Sequence, residues 1–146
     1  MQKRDNAVAD FCDGHSCSQA VLAAYCEEHG LAREQAIRLA TGFGGGMGRQ
    51  GKTCGALTGA VMTLGLAKGP STSLDSAAKE ETYRLVAELT ARFRAECGAT
   101  DCKALLGCDL SRPDDDQQAQ QNQLFKTRCP GYVAAAMDIL EELLGK

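Results

Sequence analysis

Apolar residues recur at helical spacing in almost every part of this chain, and no apolar/polar alternation lasts long enough to propose a strand. That pattern excludes a sheet-based fold, so the stripes must be buried helix against helix. Val133, Ala136, Met137, Leu140 and Leu144 share one face of a C-terminal helix. Ala78, Thr82, Leu85, Leu89 and Phe93 do the same on a long helix from about Leu74 to Glu96. Its opposite side, with Lys79, Glu80, Arg84, Glu88, Arg92 and Arg94, reads as a solvated face. A third helix runs from Ser16 to Glu28, with Gly30 just beyond its end, and a short one spans Arg33 to Leu39. There are 146 residues, with no internal repeat and no break in composition. The expectation is one all-α domain, residues 1–146, built as a bundle of about five to seven helices with a glycine-rich loop.

Charge and composition narrow the partners. Sixteen basic against nineteen acidic residues leave a net charge of −3, which argues against a phosphate-binding surface. Seven aromatic residues and no Trp make base-stacking platforms improbable, so nucleic acid is not expected as a partner. The longest uncharged stretch, the fifteen residues from Thr53 to Ala67, is too short to span a bilayer. Residues 1–6 lead into no apolar run of signal-peptide type. A cytoplasmic chain that is not membrane-embedded is the plain expectation.

Eight cysteines are the unusual number. In a reducing compartment they read as metal ligands or redox thiols before they read as permanent staples. Four share a local context. Ser16-Cys17-Ser18-Gln19 has the form of a capping box that puts Cys17 at a first helical position. Thr53-Cys54 and Asp101-Cys102 repeat the arrangement, and Cys129-Pro130 places a fourth cysteine at or beside an N-cap. Free backbone N–H groups and the helix dipole favour an anion there, so each thiol is expected to have a lowered pKa. Cys26 lies late in its helix and reads as core, Cys12 and Cys97 fall near helix ends, and Cys108 follows Gly107 as a fifth candidate. His15 and His29 read as surface or capping residues.

No Cys-x-x-Cys occurs, so neither a thioredoxin-like site nor a zinc ribbon is written locally, and Cys-x-x-Cys-His is missing too. The four cysteines are separated by 37, 48 and 27 residues and can meet only in the folded chain. The expected arrangement has Cys54 at the centre, beside the face formed by Gly55 and Gly59, with the other three around it. Gly46-Met47-Gly48-Arg49-Gln50-Gly51-Lys52-Thr53 also matches the phosphate-loop pattern in full. That loop needs a buried strand before it, whereas residues 36–41 have helical composition, so the segment reads as a loop leading into the Cys54 helix.

The same residues carry a resemblance. Phe11-x-x-Gly14-x-x-Cys17-Ser18-Gln19-Ala20-Val21-Leu22, the run Gly44-Gly45-Gly46 ahead of Cys54-Gly55-Ala56-Leu57-Thr58-Gly59-Ala60, Cys102-x-x-Leu105-Leu106-Gly107 and Phe125-Lys126-Thr127-Arg128-Cys129-Pro130 resemble the CGCAxxGCC-motif family of redox-active proteins. Its four signature cysteines fall on Cys17, Cys54, Cys102 and Cys129, and the glycine loop belongs to the pattern. The resemblance implies a small helical protein, often encoded beside transporters or redox genes. Its partner would be a redox protein or a transporter-associated one, with homo-oligomerisation left open. Cys12, Cys26 and Cys97 are additions to the pattern.

Three readings follow. The first is that Cys17, Cys54, Cys102 and Cys129 ligate an iron–sulfur cluster for electron transfer or sensing, with zinc as the alternative metal. The second is metal-free thiol–disulfide exchange, in which the same four cysteines are the redox-active residues. The third is a helical interaction protein whose cysteines pack as small hydrophobes.

Overall fold

A computed structural model describes residues 2–145. Its elements are α1 (Gln2–Cys12), α2 (Cys17–Tyr25), α3 (Arg33–Ala40), α4 (Gly44–Met47), α5 (Gly55–Lys68), α6 (Ser76–Cys97), α7 (Cys102–Leu106), α8 (Pro113–Gln121), α9 (Leu124–Thr127) and α10 (Cys129–Leu143). Seven of these have eight residues or more, and no strand occurs among the described residues, so the fold is the all-α bundle that the periodicity predicts.

The apolar stripes meet in one main core. Val21 and Tyr25 of α2, Leu57 and Leu64 of α5, Leu89 and Phe93 of α6, and Met137 and Leu140 of α10 are all buried there. Their enclosure is the main source of stability, at roughly 1.5–3 kcal/mol for each large side chain. The long helix begins at Ser76, because Asp75 caps it by accepting from the Ala78 amide at 3.1 Å. Arg92 of α6 pairs with Glu142 of α10 at the surface. Helix α1, not foreseen in the sequence, lies against α2 and α10. Among the described residues no helix is long and apolar enough to cross a membrane.

Helices α2 and α5 pack most intimately, and a glycine makes this possible. A Cβ at Gly59 would sit 2.8 Å from the Ser18 carbonyl oxygen and 3.0 Å from Val21 Cβ. Only a bare backbone lets the helices approach this closely, which offsets the cost of glycine inside a helix.

The phosphate-loop lookalike has no strand before it. Helix α3 and a one-turn coil at Thr41–Phe43 precede it. It is also tied down. Gly45, Gly46, Met47, Gly48 and Arg49 all hold left-handed backbone, and the Gly51 and Lys52 amides donate to the carbonyls of Gly45 and Gly46 at 3.2 and 2.9 Å.

Candidate functional site

The four helix-start cysteines line one cavity of about 950 Å³, and local structure explains how each arrives there. Cys17 is the first residue of α2, behind a complete capping box. Ser16 Oγ accepts from the Gln19 amide at 3.3 Å, and Gln19 Oε1 accepts from the Ser16 amide at 2.9 Å. The Gln19 side chain continues outward, donating to the Ile37 carbonyl at 3.1 Å and to Thr41 Oγ1 at 3.0 Å, which fixes α3 against this helix start.

Cys54 and Cys102 are placed by a feature that periodicity cannot reveal. Thr53 and Asp101 form an isolated antiparallel bridge. The Cys54 amide donates to the Thr100 carbonyl at 2.7 Å, and the Cys102 amide donates to the Lys52 carbonyl at 2.6 Å. Two residues of β-type pairing therefore carry the starts of α5 and α7 side by side. Gly46 closes over the junction, since a Cβ there would lie 2.6 Å from the Lys52 nitrogen and 2.8 Å from Cys102 Cβ. Cys54 is itself the N-cap of α5, one position earlier than the Thr53-Cys54 pattern predicts, with Gly55 as the first helical residue.

Cys129 opens α10, with Pro130 in the first turn. Two neighbours tie this start to α7. Tyr132 Oη donates to the Leu105 carbonyl at 2.9 Å, and Arg128 donates to the carbonyls of Leu105 and Leu106, each at 3.2 Å. Those carbonyls end a five-residue helix and have no intrahelical donor, so the contacts satisfy groups that would otherwise be orphaned.

The electrostatics of the thiols depart from the helix-start expectation. The side-chain contact between Cys17 and Cys129 holds the Cys17 thiol well above the ordinary thiol range and pulls Cys129 below it. Burial adds to the rise at Cys17, and negative charge on Cys54, Cys129 or Cys102 would raise it further. Burial pushes Cys54 up to about 11, although the amides of Ala56 and Leu57 face its sulfur and pull the other way without completing a side-chain cap. Burial likewise pushes Cys102 up to about 12. A lowered pKa is therefore found at Cys129 and not at the other three. Helix ends favour the anion, but enclosure in an apolar wall beside other thiols outweighs them. Cys54 acts on both Cys17 and Cys102, and Cys129 acts on all three.

Other residues sort clearly. Cys108 lines a separate, shallower hollow with Asp109 and Asp115, so this fifth candidate opens away from the cavity. Cys12, the exposed last residue of α1, does line the cavity, a position that its sequence context does not signal. Cys97 ends α6, and Cys26 lies in a small core at the far end of α2. His15 lines the cavity, with Nδ1 3.3 Å from the Asp10 carbonyl oxygen, whereas His29 follows the far end of α2. All eight cysteines are free thiols. Among the described residues no group of three or more His, Cys, Asp or Glu side chains is gathered closely enough to hold a metal ion.

The profile of a family described as "Putative redox-active protein (C_GCAxxG_C_C)" matches residues 15–143. No curated protein and no solved structure matches the chain. The matched span holds all four helix-start cysteines, the glycine turn and the Gly55–Gly59 face, and leaves Cys12 outside it. The chain belongs to the C_GCAxxG_C_C family of redox-active proteins.

Proposed function

We propose that this protein performs metal-free thiol–disulfide exchange, with Cys17 and Cys129 as the exchanging pair and Cys54 and Cys102 flanking them. The observation that carries this reading is that Cys17 and Cys129 line one cavity and pack in one cluster of side chains, where their contact raises the pKa of Cys17 and lowers that of Cys129. The lowered pKa of Cys129 gives it the larger share of thiolate, the form that attacks disulfides. The thiolate of Cys129 attacks one sulfur of a substrate disulfide. The substrate S–S bond breaks, a Cys129–substrate disulfide forms, and the first substrate thiolate leaves and takes up a proton. Cys17 then loses its proton and attacks Cys129. A Cys17–Cys129 disulfide forms and the second substrate thiol departs. Two protein thiols are oxidised and one substrate disulfide is reduced to two thiols.

The test is peptide mapping of the reduced, folded chain after limited oxidation by a disulfide reagent, with parallel alkylation at neutral pH. The first bridge is expected to join Cys17 to Cys129, and Cys129 is expected to alkylate ahead of Cys54, Cys102 and Cys26. Random pairing, or uniform slow labelling of all eight cysteines, would sink the reading.

One observation favours a second reading. Four sulfurs from four helix starts share one cavity wall, and four thiolates are the standard ligand set of an iron–sulfur cluster. Cys17, Cys54, Cys102 and Cys129 would hold it, and its chemistry would be one-electron transfer. A single zinc ion demands tighter gathering, with sulfurs about 2.3 Å from the metal, and the donors do not stand that close. Anaerobic purification with iron and sulfide analysis separates the readings. Stoichiometric iron and sulfide would put the cluster first, and their failure to bind on anaerobic reconstitution would remove it.

A further inference from the structure

The wall around the sulfurs says what can reach them. Cys54, Cys102 and Cys129 are only 5%, 8% and 7% exposed, yet all three line the cavity. Thiol–disulfide exchange needs the incoming sulfur to be met in line with the bond it breaks. A disulfide on a folded protein carries chain on both sides and is harder to bring to sulfurs this little exposed, although Cys17 itself is half-buried. A small molecule fits, because about 950 Å³ falls within the usual range of roughly 300–1,000 Å³ for small-molecule sites.

The chemistry of the wall narrows the class. Phe11, Leu105, Leu106, Leu110, Phe125 and Tyr132 supply its body, so an apolar molecule gains by entering. Its charged groups are unevenly matched. Arg49 and Lys126 are exposed at the lining and enter no ion pair among the described residues. Asp116 is the one carboxylate there among the described residues, and it already accepts from Gln120 Nε2 at 3.1 Å. Arg49 is held in place by the left-handed turn, its stem crossing Gly45, where a Cβ would lie 2.8 Å from Arg49 Cγ. An anionic end is therefore favoured and a cationic one is opposed.

We propose that the substrate is a small organic disulfide with an apolar body and an anionic end, seated in this cavity with Arg49 and Lys126 at the anion. The assignment rests on the exchange reading of Cys17 and Cys129 and uses the same balanced step. The cavity wall binds and orients, the two cations select, and the substrate disulfide is the oxidant.

The test uses the full reduced chain and three probes: a dicarboxylic dialkyl disulfide, the diamine disulfide of equal chain length, and a folded protein with an exposed disulfide. Loss of the Cys17 and Cys129 thiols is followed by mass spectrometry, with each rate divided by that of the same probe with free cysteine. The dicarboxylic probe is expected to react about tenfold faster than the diamine, the scale of effect that steering by two charges supplies. Arg49→Glu with Lys126→Glu should reverse that order. Lys126→Glu alone, expected to reduce the preference, keeps the test open should the change in the left-handed turn disturb folding. Equal rates, a faster diamine, or a faster protein disulfide would overturn the substrate class while leaving the exchange reading intact. If no probe couples Cys17 to Cys129, the exchange reading falls and the substrate assignment falls with it.

Discussion

Helix α2 carries a cysteine at each end, and the two ends could hardly differ more. Cys17 opens the helix behind a capping box, faces a cavity, and packs in one cluster with Cys129. Cys26 closes it, fully buried with Leu22, Ala36 and Ala40, its thiol donating to the Ala23 carbonyl at 3.4 Å. Burial also raises the pKa of Cys26, and among the described residues the cluster around it holds no second thiol. One residue type on one helix thus serves as a reactive group at one end and as a small hydrophobe at the other. What separates them is company, because a thiol becomes useful when another sulfur can share its proton or receive its bond.

The largest effect should come from removing either member of the pair. Cys17→Ser or Cys129→Ser is expected to abolish formation of the intramolecular disulfide and to slow exchange by about 100-fold or more, since the first removes the resolving thiol and the second the attacking one. Cys26→Ala should leave the exchange rate unchanged and cost stability alone, about 1–2 kcal/mol for the lost packing. Rates of substrate-disulfide reduction, read beside urea denaturation, check both. Equal losses from the two ends of α2 would break the comparison.

Alkaline pH gives the next effect. In the unfolded chain Cys54 and Cys102 ionise near the ordinary value of 9.0, whereas in the folded chain they stay protonated until about 11 and 12. The folded state thus binds these protons more tightly. The resulting stability is complete below pH 9 and is lost as pH rises toward 11–12. For Cys54, buried and 5% exposed, the loss is about 2–3 kcal/mol. Thermal unfolding followed from neutral to alkaline pH should show this decline. Cys54→Ala should flatten part of it, and an unchanged slope in that variant would remove Cys54 as a source.

Two glycines of α5 provide a graded test of the packing beside the site. Gly59→Ala drives a methyl group to 2.8 Å from the Ser18 carbonyl oxygen, so α2 must shift, at a cost of about 1–3 kcal/mol. A Cβ at Gly65 would meet no described atom within 4 Å beyond its own stretch of helix, and the alanine variant should stabilise the helix by up to about 1 kcal/mol. Opposite signs in chemical denaturation are the expected outcome. A neutral Gly59→Ala would mean that the close approach of α2 and α5 does not constrain Cys17.

Much of this fold was legible in the chain because its signals are local. Stripes of period 3.6 place α6 within two residues at each end and identify α10, and the Ser16–Gln19 box is present as read. Local signals also select four of the five cysteines that line the cavity and miss Cys12. What sequence could not supply is what depends on contact across the chain. The Thr53–Asp101 bridge joins residues far apart with no alternation around them, so nothing in the pattern announces it. The thiol pKa values went the other way at three positions because helix-start reasoning counts the dipole and omits burial, which only the assembled wall creates. Helix α1 escaped notice because Lys3, Arg4, Asp5, Asn6 and Asp10 dilute its stripe, leaving Ala7 as its one fully buried side chain.

The smallest effect returns to the two ends of α2. Ser16→Ala removes the acceptor for the Gln19 amide and should cost about 1 kcal/mol, the usual worth of an N-cap. Beyond the other end, after a 3-10 turn at Glu27–His29, Gly30 holds left-handed backbone with φ 84°. Gly30→Ala should cost a similar amount, about 1 kcal/mol, through backbone strain. Equal stability losses then isolate position from stability. If the capping box orients Cys17 toward Cys129, Ser16→Ala should slow exchange by a few-fold while Gly30→Ala leaves it alone. The Ser16 change also frees the Gln19 side chain from its reciprocal bond, and that side chain anchors α3 through Ile37 and Thr41. Gln19→Ala should therefore slow exchange as well, and the double variant should lose less than the sum of the two, as members of one network do. Strictly additive losses, or equal slowing from Gly30→Ala, would show that the cap stabilises the helix without aiming its cysteine.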